Sequence, residues 1–392
     1  MLLADEDGLA AARRVMLLTS AVVFFDTLFF AALTPLLPHY VHTLGLSKAG
    51  AGVLSAAYPA GCLLGAIPSG VVAARLGVKP TVLAGLSVVA VCTVLFGLAD
   101  HLWELDAARF FQGIASAFSW TGALAWLVAV SPAGRRGVLI GRAFATAVAG
   151  ALFGPALGGA ASLTGVRWAF GAIGIASLGL VAWAALTPSS KPEEPQGIGL
   201  VARAVADRRI VIGLWFVLLP SLLFGTISVL GPLRLSTLGF GALAIGATFL
   251  CSAALEAVAN VVVGRATDRL GPFRPVRAGL LAAVVVAVVL PWSHERFLLA
   301  GVIVCAGVAF GMFFTPAMAL LTHVSEERGL DYGYTFALIS LAWAPGQTIG
   351  AAGGAALAHA TSDAVPYLAL AVACGLTFAG LTLPRLRRGA AP

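Results

Sequence analysis

The sequence predicts an all-α membrane protein whose twelve transmembrane helices form two pseudo-symmetric six-helix bundles. Three observations predict this fold: the composition of the 392-residue chain, the length of its apolar runs and the placement of its basic residues. Hydrophobic residues make up 60% of the chain and charged residues only 10%, whereas soluble domains carry roughly 25% charged residues. A chain this apolar is suited to lipid rather than to water.

The composition also excludes several classes of function. A soluble enzyme or a disordered scaffold would need far more polar surface. The net charge is +7, but Lys and Arg lie in small groups between apolar runs, so no nucleic-acid partner is expected. The five cysteines lie inside apolar segments without metal-ligand spacing, and neither a metal site nor a cofactor is expected.

Twelve segments are long and apolar enough to cross a bilayer, which takes about 20 residues. We number them span one to span twelve. In chain order they cover 15–40, 48–73, 79–98, 102–130, 136–163, 166–187, 209–234, 242–265, 274–293, 297–323, 331–359 and 364–384.

The basic residues predict how these spans are oriented. With the N-terminus in the cytoplasm, 19 of the 24 Lys and Arg fall on the cytoplasmic side, four fall outside, and Arg109 lies within a span. Basic residues accumulate on the cytoplasmic side of membrane proteins. We therefore expect a multi-pass protein of a prokaryotic-type cytoplasmic (inner) membrane, with both termini in the cytoplasm.

One long polar segment divides the chain. Residues 188–208 are rich in proline and charge, which is typical of a linker. They separate an N-terminal six-helix bundle (1–187) from a C-terminal one (209–392). The halves resemble each other, because the segment Gly70 to Gly77 recurs as Gly264 to Gly271, 194 residues later. Parallel halves of six spans are a recurrent transporter plan.

Three motifs resemble those of the major facilitator superfamily, and the resemblance covers essentially the whole chain. The segment Gly264 to Gly271 matches the family pattern G-x-x-x-D-R-x-G with Asp268 and Arg269, whereas Ala74 replaces the acid in the first copy. Residues 109–113 match the family's R-x-x-Q-G. The third motif, in span five, resembles the one typical of the family's proton antiporters and implies export. It comprises Gly150, Gly154, Pro155, Gly158 and Gly159.

The first and third motifs are candidates for gating. Three of the span-five glycines recur every four residues, so a neighbouring helix can approach that face closely, and we expect a kinked contact between the two halves there. The pseudo-symmetry of the resembled family implies that Asp268 faces the start of span five, where the helix dipole favours a negative charge. Three arginines lie there: Arg135, Arg136 and Arg142. The alternatives are ordinary small-residue packing and a solvated charge that only sets topology.

Three acidic or basic side chains lie seven residues or more from either end of their predicted spans, where charge is costly and its presence indicates function. They are Asp26 in span one, Glu256 in span eight and Arg109 in span four. An apolar environment favours the neutral form of a carboxyl, so we predict that Asp26, or as second choice Glu256, carries a proton. Glu256 is alternatively a site for a cationic substrate, and either acid is alternatively a neutral, backbone-bonded group.

Two further arguments concern these charges. An acid in span one resembles the proton-coupled vesicular amine and multidrug branches of the family. Arg109 is difficult to neutralise, and it is expected to pair with an acid or with carbonyls at the span-one interface. A structural tie between helices is the alternative for Arg109.

The resemblance implies that spans one, four, seven and ten face a central path, with spans two, five, eight and eleven beside them. Aromatic residues there suit flat, apolar or cationic ligands, and one Asn with three Gln in the whole chain disfavours a sugar. Helix packing is the alternative for each aromatic. The substrate-binding candidates are Phe29, Phe30, Tyr58, Gln112, Trp120, Trp126, Phe224, Asn260, Phe314, Trp343 and Gln347.

These observations predict a monomeric secondary transporter rather than an enzyme. It would export small hydrophobic or amphipathic compounds, as in drug efflux, in exchange for protons by alternating access. Its partners would be the small-molecule substrate, protons and the lipid bilayer. The sequence has no GxxxxGK[ST], HExxH or GxSxG motif, so neither ATP nor these hydrolase chemistries are expected. The alternative is a proton-coupled uptake symporter or facilitator of a small metabolite.

Overall fold

A computed structural model describes residues 2–131, 136–189, 206–330 and 332–382, and these ranges are almost entirely helical. The α-helices in chain order are Leu2–Ala32, Leu37–Leu44, Lys48–Leu76, Val78–Leu98, Leu102–Val130, Arg136–Thr164, Val166–Leu186, Arg208–Thr237, Ala242–Leu270, Phe273–Val289, Arg296–Glu327, Tyr332–Thr348, Gly354–Ala360 and Ala364–Thr382.

The all-α membrane fold is confirmed. Within the described ranges, eleven helical segments are long and apolar enough to cross a membrane. Span eleven is also helical from Tyr332 to Ala360, but a π-helical turn at Ile349–Gly353 divides it into two shorter helices. Pro345 lies four residues before the start of the π-helical turn, and proline cannot donate a backbone hydrogen bond. Several observed helices run a few residues beyond the predicted spans; span two, for example, continues to Leu76.

Span one is interrupted near its end. Its main helix ends at Ala32, a 3-10 turn covers Thr34–Leu36, and a short helix continues to Leu44. Pro35 and Pro38 lie in this stretch and supply no N–H donors. The last four carbonyls of a helix have no partner within it, so span one presents free backbone acceptors at this depth.

The two halves repeat in local structure as well as in sequence. Span two ends at Gly77 with φ 98° and span eight ends at Gly271 with φ 77°, a left-handed region that favours glycine. In each case the glycine N–H donates to the carbonyl four residues earlier, at Ala73 and Thr267. The matched glycines therefore end the two spans in the same way.

The halves pack tightly at the end that the basic residues predict to be external, hereafter the Lys48 end. Spans two and eleven meet there, because a Cβ on Gly52 would lie 2.5 Å from the Cβ of Ala355. Spans five and eight meet likewise, because a Cβ on Gly246 would lie 2.5 Å from the carbonyl oxygen of Pro155. The structure is therefore closed at this end.

The linker predicted at 188–208 falls mostly outside the described residues, and the division into two bundles stays a prediction. Asp207, at its described end, caps span seven and forms ion pairs with Arg209 and with Arg328 at the end of span ten. Burial disfavours its charge, yet the hydrogen bonds from Arg209 and Arg328 lower the pKa of Asp207 overall. Spans seven and ten are thus tied together beside the linker.

Candidate functional site

Asp26 lies in a polar cluster inside the N-terminal half. Its side chain is 5% exposed, and three donors reach the same carboxyl oxygen, Oδ2. They are the Tyr58 hydroxyl of span two and the Ser116 hydroxyl and Trp120 Nε1 of span four, each at 2.7 Å. Spans one, two and four therefore converge on one buried carboxyl.

This cluster suits both protonation states of the carboxyl. An ionised carboxyl accepts all three hydrogen bonds, whereas a protonated one has an O–H to donate. The hydroxyls of Tyr58 and Ser116 can accept that bond, and they also lie 2.7 Å from each other. Trp120 can only donate. Asp26 consequently has a partner whether charged or neutral, as a reversible proton site requires.

Arg109 binds the backbone end of span one. Its Nη1 donates to the Phe29 carbonyl oxygen at 3.2 Å and its Nη2 to the Phe30 carbonyl oxygen at 3.3 Å. These carbonyls belong to the last turn of the helix, where the dipole favours a cation. The sequence left two partners open, an acid or these carbonyls, and the structure places Arg109 on the carbonyls.

The other two residues of the R-x-x-Q-G motif support this arrangement. Gln112 accepts from Arg109 at 3.0 Å and donates to the Thr93 hydroxyl of span three at 2.9 Å. A Cβ on Gly113 would overlap the carbonyl oxygen of Tyr58, and a Cβ on Gly61 would overlap that of Phe110. The paired glycines let spans two and four approach closely, which holds Tyr58 against Ser116.

Glu256 occupies a separate place in the C-terminal half. It packs against Gly311 of span ten, where a Cβ would lie 2.6 Å from its Oε1. Asn260, one turn further along span eight, is its hydrogen-bond partner and accepts from the Thr315 hydroxyl at 3.2 Å. Glu256 is thus bound by one amide, where Asp26 has three donors.

Some of the predicted lining residues meet where the halves join. Phe30 contacts Tyr58 and Trp343, with ring centroids 5.1 and 5.5 Å apart, and Trp343 belongs to the other half. Phe224 packs edge-on against Phe310 within the C-terminal half. Phe30, Trp120, Phe224, Asn260, Phe314 and Trp343 are partly exposed, whereas Tyr58 and Gln347 are buried.

Three predicted lining residues are enclosed within the N-terminal half instead. Trp126 is 0% exposed among the apolar side chains of spans one, three and four. Phe29 lies in a small apolar cluster with Val89 and Ile173, and Gln112 is bonded to Arg109 and Thr93. In this conformation none of the three faces a central path, because only one side of each span does so.

The glycine face of span five also packs differently from the prediction. A Cβ on Gly150 would overlap Thr27, one on Gly154 would lie 2.5 Å from Ala31, and one on Gly158 would overlap the Ala32 carbonyl. All of these contacts are with span one, so the face lies within its own half. The contact with the other half is made by the adjacent Pro155 and Gly159, against Gly246 and Leu243.

Asp268 and Arg269 are exposed at the linker end of span eight. The described side chains form no ion pair with Asp268, and Arg142 at the start of span five is exposed as well. Arg135 and the side chain of Arg136 lie outside the described residues. Among the described side chains, Asp268 makes no contact with span five in this conformation, which is closed at the opposite end.

Comparison with known protein families identifies the superfamily of this chain. The sequence profile of the Major Facilitator Superfamily matches residues 19–347. The chain belongs to this superfamily. It is a multi-pass membrane protein by its family and its apolar helices, and its curated relatives are transporters.

The curated relatives are distant. The MFS-type transporter ppzB of Metarhizium majus is 30% identical over 143 residues, 35% of this chain and 31% of that protein, so the match spans about a third of that relative's length. The uncharacterized MFS-type transporter YceJ of Bacillus subtilis is 25% identical over 338 residues, 84% of both chains. The human chromaffin granule amine transporter is 25% identical and is aligned over 73% of this chain and 56% of its own length.

Solved structures share the fold of this superfamily member. A bacterial homolog of the human lysosomal transporter Spinster, in an inward-facing and unoccupied conformation, gives a TM-score of 0.77 at 15% identity, over 95% of this chain and 96% of that one. A D-xylose–proton symporter gives 0.74 at 15% identity, over 93% and 96%.

Sequence reasoning missed two features of this superfamily chain. Ser116 was overlooked, although Gln112, Ser116 and Trp120 recur every four residues and so share one face of span four. The pair of Lys48 and Asp363 was also missed. Its partners are 315 residues apart, and no local pattern reveals a contact between residues so distant in sequence.

Lys48 and Asp363 form an ion pair between the halves. Lys48 Nζ lies 2.6 Å from Asp363 Oδ1, and Arg234 Nη1 lies 3.7 Å from Asp363 Oδ2. Lys48 starts span two, whereas Asp363 and Arg234 belong to the C-terminal half. The pair can therefore form only while the two halves are in contact at the Lys48 end, and it stabilises closure there.

We expect Lys48→Ala to shift the population away from closure at this end. A partly exposed ion pair contributes about 0.2–1 kcal/mol, so the ratio of closed to open protein should fall by a factor of roughly 1.4 to 5. Spin labels at Thr43 and Thr361, in a background without the exposed cysteines, report the distance between the halves.

Arg296→Ala is the matched control for this experiment, because it removes an exposed cation from the same end without an inter-half ion pair. Lys48→Arg keeps the charge and should retain the wild-type distribution. An unchanged distance distribution in Lys48→Ala contradicts the role of the pair.

Proposed function

We propose that this chain is a proton-coupled antiporter that exports small hydrophobic or amphipathic compounds from the cytoplasm. It acts as a monomer in a cytoplasmic membrane, with both termini inside. The observation that carries the proposal is Asp26: a carboxyl buried at mid-span, whose partners satisfy both its charged and its neutral form. The antiporter-like motif of span five and the similarity to an amine transporter support the direction and the substrate class.

The transport cycle would alternate between closure at the two ends. The described conformation is closed at the Lys48 end. In the opposite state, the contacts between spans two and eleven and between spans five and eight open, and Asp268 approaches the start of span five. The Pro155 and Gly159 side of span five takes part directly, and the Gly150, Gly154 and Gly158 face moves together with span one.

Coupling would arise through competition at Asp26. Phe30 joins the cluster to the inter-half boundary through Tyr58 on one side and Trp343 on the other. Substrate that binds between the halves favours one protonation state of Asp26. By linkage, protonation of Asp26 changes the affinity for substrate by the same factor. Antiport requires that the proton and the substrate exclude each other.

Everted membrane vesicles that hold an acid interior test the proposal. In such vesicles the cytoplasmic face is outside, so an exporter takes up an added amphipathic compound and releases protons. We expect the addition of substrate to dissipate the pH gradient, which a pH-sensitive dye detects, and empty-vector vesicles are the control. A proton symporter instead moves substrate and protons in the same direction, and that result contradicts antiport.

A further inference from the structure

A small cavity lies beside Asp26, between spans one, three, four and six. Its volume is about 10 Å³, and Asp26, Ser119 and Ser177 are the polar residues of an otherwise apolar lining. A water molecule needs about 10–15 Å³ of such space and two to four polar partners. The cavity therefore has the size and the polarity to hold a single water.

Ser119 is a buried polar residue whose hydroxyl the fold leaves without a hydrogen-bond partner. It is 1% exposed, and its Oγ has no hydrogen-bond partner among the described residues. Span three makes room for it, because a Cβ on Gly85 would overlap the Ser119 Oγ. A buried hydroxyl without a partner is destabilising, so a ligand that accepts a hydrogen bond from Ser119 would stabilise the N-terminal half.

Asp26 has an oxygen suited to the same ligand. The three protein donors all reach Oδ2, and the two oxygens of a carboxyl point in different directions. Oδ1 accepts none of these hydrogen bonds, and it is therefore available to a ligand in the cavity that Asp26 lines. Ser177, the third polar residue, donates to the Ile173 carbonyl at 3.0 Å, which leaves its oxygen able to accept.

We propose that one water molecule is bound in this cavity and joins Asp26 Oδ1 to Ser119, which makes Ser119 a positioning residue of the proton site. The water accepts from the Ser119 hydroxyl and donates to Oδ1 and to the Ser177 oxygen. When Asp26 is protonated at Oδ1, the carboxyl O–H donates to the water instead. This inference rests on the proposed proton-carrying role of Asp26.

The water gives Asp26 a partner on Oδ1 that is independent of the partners on Oδ2. Tyr58 contacts Phe30 at the boundary between the halves, so movement linked to substrate binding can disturb its hydrogen bond to Asp26 Oδ2. The water and Ser119 lie among spans of the N-terminal half only. Asp26 therefore keeps a polar partner on Oδ1 while the Tyr58 side rearranges.

Infrared difference spectra of the full-length protein, recorded between acidic and alkaline pH, test this site. We expect a carboxyl C=O band that disappears in Asp26→Asn, and a water O–H band that shifts in H₂¹⁸O. In Ser119→Ala the C=O band should shift to higher frequency, because the carboxyl O–H loses the water to which it donates, and the ¹⁸O-sensitive band should be lost. Ser221→Ala, a buried serine in the other half, should match the wild type.

The outcomes separate the water site from the proton site. An Asp26 band that is present but unchanged in Ser119→Ala, without any ¹⁸O-sensitive band in the wild type, overturns the water and leaves the proton role standing. The absence of any Asp26 band in the wild type overturns both. If Ser119→Ala does not fold, Ser177→Ala replaces it, with a smaller shift of the ¹⁸O-sensitive band expected and no shift contradicting the proposal.

Discussion

Replacement of Asp26 by asparagine is expected to abolish proton-driven transport while leaving the protein folded. The amide has the size of the carboxyl and still accepts a hydrogen bond, but it cannot take up a proton. Accumulation of an amphipathic dye against its gradient in everted vesicles should therefore fall to the background level. Counterflow exchange of the dye, which needs no proton, should persist.

Glu256→Gln is the matched control, because it is the same isosteric neutralisation at mid-span in the other half. Glu256 has one amide partner, Asn260, whereas three donors converge on Asp26. We expect proton-driven accumulation to persist in Glu256→Gln. Loss of accumulation only in Glu256→Gln would move the proton site to span eight, and retained accumulation in Asp26→Asn would contradict the role of Asp26.

The second large effect is expected for Gly113→Ala. The added Cβ would overlap the Tyr58 carbonyl oxygen and lie 3.0 Å from the Cys62 nitrogen. Both obstacles are backbone atoms, so spans two and four must separate, and overpacking of this kind costs about 1–3 kcal/mol. The shift withdraws the Tyr58 hydroxyl from Asp26. We expect a lower free energy of unfolding and at least a roughly tenfold loss of transport, measured on purified protein and in vesicles.

Gly179→Ala controls for the loss of a helical glycine. No atom lies within 4 Å of a Cβ at that position in span six, and alanine is the better helix former. Transport should be unchanged and stability equal or slightly higher. The close approach of spans two and four is not required if Gly113→Ala behaves like Gly179→Ala.

The sequence predicts the main elements of the site for physical reasons. Asp26 stands out because an acid in the middle of an apolar run is costly in lipid, whatever surrounds it. The need of Arg109 for acceptors follows from the same argument, although the sequence leaves open whether they are an acid or the span-one carbonyls. The matched ends of spans two and eight at Gly77 and Gly271 were visible as a repeat, because both positions require glycine.

Other parts of the site depend on which helix faces which, and the sequence leaves that open. The spacing of Gly150, Gly154 and Gly158 indicates close approach by a helix, but not that the helix is span one. Trp126 lies in a span that borders the central path, yet it is on the enclosed side of that span. Periodicity identifies a face, and only the tertiary packing shows what covers it.

Proton release upon substrate binding tests the central claim most directly. Purified protein in weakly buffered detergent is titrated with a panel of amphipathic compounds while a pH dye records released protons. If the proton and the substrate exclude each other through Asp26, the wild type and Glu256→Gln release protons on binding and Asp26→Asn releases none. Proton release from Asp26→Asn equal to that of the wild type would contradict the account.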